Sequence, residues 1–395
     1  MSVREIITAY VDRQYPVYRQ IALDIHEHPE VSNYEFFACE RLSEQLKAEG
    51  FEVKVDVAGH RTGFSAVYKA QKPGPVLVFL AEYDALPGLG HGCGHNLFGA
   101  TSSLAASALK QVIDETGGEV RVYGTPGEEG GENGSAKGSF VREGFFKDAD
   151  AALCVHPGDK HEASTKNIAC LPVDIEFWGK PAHAAAAPEQ GINALDSLIL
   201  TYNGINALRQ HMTPDAMVHG IITSGGSAPN IVPEYAAAKF YFRASTVTRL
   251  EALYKRIEKI VEGAALMTGA KGRLQPYQNR VDNMVPTPSF DAVYGKELAL
   301  LGETMLPPAE GCGIGSSDVG NVSQVIPTIQ PTIRIIDHPT PWHSEESKAA
   351  AKSEMGLASI ALGAKALALT ALDLIEDPAL LRQIKADHAK AITEQ

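Results

Sequence analysis

The sequence has little of what would place this protein outside the cell or in a membrane. Its 395 residues include only five cysteines, an odd number without the dense spacing of a secreted disulfide scaffold. The first residues enter a polar helical pattern without the basic stretch and apolar core of an export signal. The apolar runs are too short to cross a hydrocarbon layer of roughly 30 Å, or they are interrupted by Lys365. We therefore expect a soluble, cytoplasmic protein whose cysteines are mostly reduced.

Positive charge is also scarce. Lysine and arginine number 35 against 48 acidic residues, and the formal net charge is −13. Such a charge repels phosphate backbones and anionic membrane surfaces. We therefore expect neither a nucleic acid nor a membrane as a partner. What the chain does have is 44% hydrophobic residues over a length that suffices for two domain cores.

Strand and helix patterns alternate over the first part of the chain, as in PVLVFLA, HNLFGATSSLAASALKQVIDE and EVRVYG. The alternation predicts an α/β fold, a sheet flanked by helices, with functional groups at the carboxyl ends of the strands. After Leu171 the order becomes β-α-β-β-α-β, which is typical of a ferredoxin-like α+β domain. We predict a catalytic domain formed by 1–171 and 286–395, interrupted by a small domain inserted at 172–285.

HGCGHN places Cys93 and His95 two residues apart, on one side of the chain if this segment is extended. A thiolate and an imidazole can then face one metal region. Taken alone, the pair is more typical of a buried cysteine beside a solvated histidine. The prediction of a metal site therefore depends on the neighbouring motifs.

Further possible ligands follow the predicted strands. Glu128 and Glu129 come directly after EVRVYGTPG, where one carboxylate could bind metal and the other accept a proton from metal-activated water. An exposed turn is the alternative. His156 closes the next apolar strand, and His343 precedes a helical stretch that could carry it to the same face. A lone histidine at such a strand end is more often structural.

Together these residues offer thiolate, imidazole and carboxylate donors, which suit Zn²⁺ and also Mn²⁺ or Co²⁺. A structural zinc ion needs only four ligands. The additional ligand and the free glutamate therefore favour a pair of ions with an open position for water.

Six segments resemble the aminoacylase and carboxypeptidase group of zinc exopeptidases, in the branch of aminobenzoyl-glutamate, indole-acetyl-amino-acid and acyl-lysine hydrolases. They occur in the family's order, from about residue 20 towards the C-terminal helix. In this chain they read IALDIHEHPEVSNYEFFACERLSEQLKAEGFEV, AEYDALPGLGHGCGHN, GTPGEEGG, GKPAHAAAAPEQGINALD, PNIVPEYAAAKFYFRA and GSSDVGNVS.

The resemblance implies a mixed sheet flanked by helices and a site with two metal ions. Glu128 becomes the general base and acid, and Asp84 orients a metal ligand. A turn cap is the alternative for Asp84. Other branches open this motif with His-x-Asp, whereas this chain has Glu82, Tyr83 and Asp84. The ligands that the resemblance implies are Cys93, lying between or beside the ions, His95, Glu129, His156 and His343.

The inserted domain resembles a dimerisation or lid domain, so a homodimer or higher homo-oligomer is expected. His183 matches a histidine that stabilises the reaction's oxyanion, in the family typically across a dimer interface. Asn230 and Arg243 match positions that contact the substrate, and Gly315 and Ser316 match a loop near its carboxylate. Arg243 could equally form an interface salt bridge, and a Ser-Asp helix cap would also explain the loop.

The expected function is metal-dependent hydrolysis of the amide bond in an N-acyl amino acid or dipeptide, with a glutamate as general base. One alternative is a metal-dependent deaminase that acts on a small aromatic amine. Another is a catalytically silent binding subunit with the same fold. Release of ammonia would distinguish the deaminase from the amide hydrolase.

Overall fold

A computed structural model describes residues 1–308 and 315–395, which form two compact units. Unit 1 comprises Met1–Lys166, 284–308 and Ser317–Gln395, and unit 2 comprises Asn167–Asn283 with 315–316. The cysteines Cys39, Cys154 and Cys170 are buried and unpaired. Cys312 lies outside the described residues.

The elements of both units follow one another along the chain. The first part of unit 1 contains α1 (Val3–Glu27), α2 (Phe36–Ala48), β1 (Glu52–Val57), β2 (His60–Lys69), β3 (Val76–Ala81), α3 (His95–Thr116), β4 (Glu119–Gly124), α4 (Ala136–Arg142), β5 (Ala151–Leu153) and β6 (His156–Gly158). Unit 2 contains β7 (Ala169–Trp178), α5 (Ala194–Arg209), β8 (Met217–Ser224), β9 (Tyr235–Ala244), α6 (Val247–Thr268) and β10 (Lys271–Pro276). The rest of unit 1 contains α7 (Pro288–Leu300), α8 (Val319–Ser323), β11 (Thr328–Ile329), β12 (Thr332–Arg334), α9 (Glu345–Ala350), α10 (Glu354–Glu376) and α11 (Pro378–Thr393).

Unit 1 is built on a mixed sheet with the strand order β1-β2-β4-β3-β5-β11. Strands β4, β3, β5 and β11 are parallel, whereas β1 and β2 are antiparallel to their neighbours. The apolar run of β3 alternates between two cores: Leu77 and Phe79 pack into one, and Val78 and Leu80 into the other. Because both faces of the sheet are covered, the prediction of a sheet flanked by helices is confirmed.

Unit 2 is a four-stranded antiparallel sheet with the strand order β10-β7-β9-β8. Its two helices contact β7 and β9 and share one buried core with the sheet. The order β-α-β-β-α-β with antiparallel pairing is the ferredoxin-like arrangement that the sequence predicts. Residues 315–316 belong to this unit, whereas the sequence pattern predicts that 286–395 belong to the catalytic domain. The Gly315 carbonyl accepts a hydrogen bond from the Ile168 N–H at 3.1 Å.

Helix α10 corrects one argument from the sequence. Its 23 residues are long and apolar enough to cross a membrane by length and composition alone, so Lys365 does not exclude a span. In unit 1, however, α10 packs against α1, α3 and α7, and 72% of its apolar window is buried. Lys365 reaches Asp12 of α1 with its ammonium group, at 2.6 Å.

A buried histidine makes the stability of unit 1 depend on pH. His60 lies within 2.5 Å of the Asn33 amide oxygen and 2.9 Å of the Ser139 hydroxyl, and burial lowers its pKa to about 4. An unfolded chain takes up this proton near pH 6.5. His60 therefore contributes stability above pH 6.5 that is lost as pH falls towards 4.

Replacing His60 with glutamine should flatten this pH dependence. Urea unfolding of the chelator-treated protein at pH 7 and pH 5 should show that wild type loses about 2 kcal/mol more stability than the variant. The other buried histidines titrate in both proteins and cancel in the comparison. Parallel losses in the two proteins would show that the folded state accepts a proton on His60 without cost.

Candidate active site

Three parallel strands bring the acidic and imidazole groups of the site together. Asp84 follows β3, Glu128 and Glu129 follow β4, and His156 follows β5 at the start of β6. Parallel strands end at the same edge of a sheet, so these four residues meet there although up to 72 positions separate them. The prediction of functional groups at strand ends rests on this property of parallel sheets.

The turn that carries Cys93 differs from the extended segment that the sequence suggested. Gly94 has φ +77°, and α3 begins at the next residue, His95. A left-handed glycine turns the chain sharply into the helix, which an L side chain rarely does. Cys93 and His95 therefore approach each other through a tight turn at a helix N-terminus, and not through the alternation of a strand.

His343 reaches the site from the segment that follows β12. Its backbone has φ +60°, and Ser344 then caps α9 with its side chain. The hydroxyl of Ser347, in the first turn of α9, donates a hydrogen bond to the Gly92 carbonyl at 2.7 Å. The start of α9 is thus fixed against the turn that carries Cys93.

The donor atoms of these residues fall into three groups, in each of which all atoms lie within 4.8 Å of one another. In pairs, the Cys93 sulfur is 3.5 Å from His156 Nε2, and His343 Nε2 is 3.6 Å from Glu129 Oε1. The groups are Cys93 with His95 and His156, Cys93 with Glu129 and His343, and His95 with Glu128 and Glu129. Cys93 belongs to two groups, which is a position from which one sulfur could serve two ions.

Asp84 connects two of these donors. One of its carboxylate oxygens lies 2.9 Å from His95 Nδ1, and the other accepts the backbone N–H of Glu129 at 2.9 Å. The hydroxyl of Ser32 donates to that second oxygen at 3.1 Å. With Nδ1 engaged, Nε2 is the nitrogen of His95 that faces the cluster. Asp84 is fully enclosed and does more than cap a turn.

The charges and unpaired atoms of the cluster fit a bound cation. Within the described chain, His95 Nε2 and Glu129 Oε1 are buried without a hydrogen-bond partner. Burial, with Glu82 and Glu129 close by, raises the pKa of Glu128 well above its ordinary value, and burial also raises the pKa of Cys93. Burial acts to lower the pKa of His95, but Cys93 and Asp84 outweigh it and raise that pKa. A divalent cation would displace these protons and satisfy the unpaired atoms.

A buried ion cluster beside the site was missed by the sequence analysis. The ammonium of Lys137 lies 2.7 Å from a Glu82 oxygen and 2.6 Å from an Asp318 oxygen, and all three side chains are fully buried. The other Glu82 oxygen lies 3.3 Å from His95 Nε2. Asp318 makes no helix-capping hydrogen bond, so the cap considered for GSSDVG does not describe this residue. The one sequence signal was Glu82, a carboxylate directly after the fully apolar strand β3.

His183 lies in unit 2 with an exposed side chain. Its Nδ1 accepts hydrogen bonds from the backbone N–H groups of Ala185 and Ala186 at 3.2 and 3.1 Å. A neutral imidazole that accepts at Nδ1 carries its proton on Nε2. Nε2 is therefore the ring nitrogen of His183 that remains to donate a hydrogen bond.

The remaining residues also lie in unit 2. Arg243 donates from Nη1 to the Ser316 hydroxyl at 3.1 Å and from Nε to His219 Nε2 at 3.2 Å. Asn230 is exposed, and its carbonyl accepts the Ala184 N–H at 3.0 Å. The structure thus brings Arg243 and Ser316 together. It also joins the segment of Asn230 to that of His183 through an isolated bridge between His183 and Ile231.

Comparison with known proteins identifies the family. Residues 165–267 match the peptidase dimerisation domain of the M20 family. Xaa-Arg dipeptidase of Mus musculus is 37% identical, in an alignment that covers 81% of this chain and 74% of the dipeptidase. One of the subunits of Escherichia coli p-aminobenzoyl-glutamate hydrolase is 32% identical, in an alignment that covers 97% of this chain and 94% of the subunit. A dinuclear metal-binding M20 peptidase from Bacillus subtilis has the same fold, with a TM-score of 0.63, 21% identity and coverage of 92% and 99%. The resemblance in the sequence motifs is confirmed, and the chain belongs to the M20 peptidase family.

Proposed function

We propose that this protein is a metal-dependent amidohydrolase that cleaves the amide bond of an N-acyl amino acid or a dipeptide. One observation carries the proposal: sulfur, nitrogen and carboxylate donors converge at the ends of three parallel strands, with two adjacent glutamates among them. A metal site that serves structure alone has no use for an additional buried carboxylate beside its ligands.

We assign five residues to the metal ions, and the donor groups described above support this choice. Glu129 belongs to two of the groups, whereas Glu128 belongs to one. The mixed donors suit Zn²⁺, with Mn²⁺ or Co²⁺ as alternatives, and two ions would share Cys93. When bound, the ions supply Lewis acidity and lower the pKa of water. The ligands are Cys93, His95, Glu129, His156 and His343.

The proton transfers are assigned to Glu128. Its raised pKa reflects a buried carboxyl among other carboxylates, and such a group can take a proton from the attacking water and return it to the leaving amine. Asp84 holds His95 and the backbone of Glu129 in place while this happens. His183 donates from Nε2 to the oxyanion that forms at the amide carbonyl.

The substrate's amine side is expected to carry a carboxylate. The relatives include an Xaa-Arg dipeptidase, a p-aminobenzoyl-glutamate hydrolase, an indole-3-acetyl-aspartic acid hydrolase and an N-acetylcysteine deacetylase, all named for substrates that contain an amino acid. The guanidinium of Arg243, supported by Ser316, matches a carboxylate in geometry and charge. Asn230 and Gly315 complete the proposed substrate contacts.

A substrate panel tests the proposal. Purified protein with added Zn²⁺, Mn²⁺ or Co²⁺ is incubated with N-acetyl amino acids, aminobenzoyl-glutamate, indole-acyl amino acids and Xaa-Arg dipeptides, and the products are identified by mass spectrometry. The expected products are a free amino acid and the matching acid. Release of ammonia with the acyl group intact would instead establish a deaminase, and no turnover of any compound would favour the silent binding subunit.

We further propose that the protein forms a homodimer through the edge strand β8 of unit 2. The matched dimerisation domain contains β8, and Ile221 and Ile222 expose 66% and 46% of their surface on the two faces of this strand. An edge strand with free backbone groups and exposed isoleucines is suited to pairing with another copy.

Replacing Ile221 with lysine should weaken this dimer. A two-fold contact brings the new charge close to its own copy, so the dissociation constant should rise by a factor of about ten or more. Sedimentation velocity over a concentration series measures the change. Leu300, 68% exposed in unit 1, provides the matched control as Leu300→Lys. Equal dissociation constants for both variants would contradict an interface at β8.

A further inference from the structure

The loop that carries Glu128 and Glu129 is rich in glycine. It runs between β4 and α4, and Gly127, Gly130 and Gly131 all have positive φ, at +74°, +88° and +97°. Glycine gives the backbone more conformational freedom than any other residue does, so a loop with several glycines can adopt many conformations. Backbone hydrogen bonds within the loop, such as the one from the Ser135 N–H to the Gly127 carbonyl, shape its turns. Contacts from elsewhere in the fold then fix the position of the loop and of its carboxylates.

Such contacts come from the segment Ser32–Glu35, here named the clamp, which lies just before α2. The Glu35 side chain is fully buried and accepts the backbone N–H of Gly127 at 3.0 Å. Its other oxygen accepts the Thr62 hydroxyl at 2.7 Å. Gly127 directly precedes Glu128, so this hydrogen bond holds the backbone at the point where the two glutamates begin.

Two more residues of the clamp hold the far end of the loop. The Asn33 amide donates to the carbonyls of Glu132 and Asn133 at 3.0 and 2.9 Å. The Tyr34 hydroxyl donates to the Glu132 carboxylate at 2.9 Å. Asn33 has φ +64°, a left-handed turn that asparagine tolerates better than most residues. The loop is therefore held at both ends by consecutive residues of one short segment.

Clamp and loop also fit closely in space. A Cβ atom added to Gly127 would lie 2.6 Å from the Asn33 amide nitrogen, and one added to Gly131 would lie 3.2 Å from Ser32 Cβ. Ser32 in turn donates to Asp84, which holds His95 and Glu129. One segment thus touches the loop and the residue that orients two proposed ligands.

We propose that the clamp is a positioning device for the loop, and that Glu35 is the positioning residue for Glu128. The inference rests on the proposed function, in which Glu128 transfers the proton. Burial, with Asp84 nearby, raises the pKa of Glu35 to about 8. The hydrogen bond from the Gly127 N–H does not depend on whether Glu35 is ionised. An oxygen of the Glu35 side chain can accept it both in the neutral carboxylic acid and in the carboxylate. Glutamine should therefore replace Glu35 well, and leucine should not.

Hydrogen exchange of the metal-free protein tests the clamp without reference to activity. Backbone amides of residues 125–135 should exchange at least tenfold faster in Glu35→Leu than in wild type, and close to the wild-type rate in Glu35→Gln. Glu30→Leu is the matched control, because the Glu30 carboxylate accepts N–H groups of Phe37 and Ala38 at the start of the same helix α2. Its loop amides should exchange at the wild-type rate.

Kinetics test the positioning role. Misplacement of a catalytic group can cost about 10²-fold in rate, so kcat of Glu35→Leu should fall by up to that factor. KM and metal content should stay within twofold of wild type. Asn33→Gly keeps the left-handed backbone and removes both amide contacts to the loop, together with the contact to His60. It is a second variant that is expected to fold. It should release the loop and lower kcat in the same way.

The outcomes are distinct. Unchanged exchange in both Glu35→Leu and Asn33→Gly would overturn the clamp. Faster exchange with wild-type kcat would overturn the positioning of Glu128. Faster exchange in a protein whose wild type turns over no substrate would support the clamp and contradict the proposed function instead.

Discussion

Replacing Glu128 with glutamine is expected to leave metal binding intact and to lower kcat for amide hydrolysis by about 10²–10⁴-fold. Glutamine keeps the size of the side chain but cannot accept a proton from water and pass it to an amine. The Glu128 side chain is 9% exposed, and its carboxylate lies 3.9 Å from His95 Nε2, within the donor cluster. Steady-state kinetics and elemental analysis of the same preparation measure both quantities.

Two other glutamates on this loop are matched controls for Glu128→Gln. Glu129→Gln should lose metal, because Glu129 lies near Cys93 and His343. Glu132→Gln should keep both metal and turnover, because the amide oxygen of glutamine can still accept the hydrogen bond of the Tyr34 hydroxyl. Wild-type kcat in Glu128→Gln would refute the assignment of the general base. Loss of metal in that variant would instead make Glu128 a ligand.

Replacing Lys137 with methionine is expected to lower the free energy of unfolding by about 3–5 kcal/mol. The Lys137 ammonium lies 2.7 Å from a Glu82 oxygen and 2.6 Å from an Asp318 oxygen. Methionine has a similar length, but it leaves both carboxylates buried without a cation. Uncompensated buried charge is far more costly than the loss of a surface ion pair. Urea unfolding of chelator-treated protein at pH 7 measures the effect.

A triple variant separates charge from packing in this cluster. Lys137→Met combined with Glu82→Gln and Asp318→Asn removes all three charges and should recover most of the stability lost in the single variant. Lys296→Met, which removes a 62% exposed lysine paired with Asp373, should change stability by less than about 1 kcal/mol. A loss of that small size in Lys137→Met would contradict the view that the two buried carboxylates depend on this cation.

Much of the fold follows from patterns that are local in sequence. The short uninterrupted apolar run of β3 and the helical spacing of apolar and small residues in α3 are local signals, and parallel strands bring their carboxyl ends to one edge. The amino-acid sequence is therefore sufficient to place Asp84, Glu128, Glu129 and His156 near one another. It is not sufficient for the turn at Gly94, because a left-handed glycine within HGCGHN has the same sequence signature as a glycine in an extended chain.

The contacts that were missed join distant parts of the chain. Lys137 lies in GSAKGSF, a segment whose polar and small residues suggest a surface loop, and its partners are 55 and 181 positions away. Glu35 precedes α2 like many helix-start carboxylates, yet it accepts an N–H from a residue 92 positions further on. No periodicity in the sequence predicts either contact, because each depends on how the sheet and helices pack.

The most direct test of the central claim is to remove and restore the metal while measuring amine release. Protein stripped by a chelator should release no amine from an N-acyl amino acid or dipeptide, and activity should return with Zn²⁺, Mn²⁺ or Co²⁺ as about two ions bind per chain. Cys93→Ser should bind fewer ions in the same titration. Undiminished amide hydrolysis by the metal-free protein would contradict the account, because Glu128 alone would then suffice to activate water.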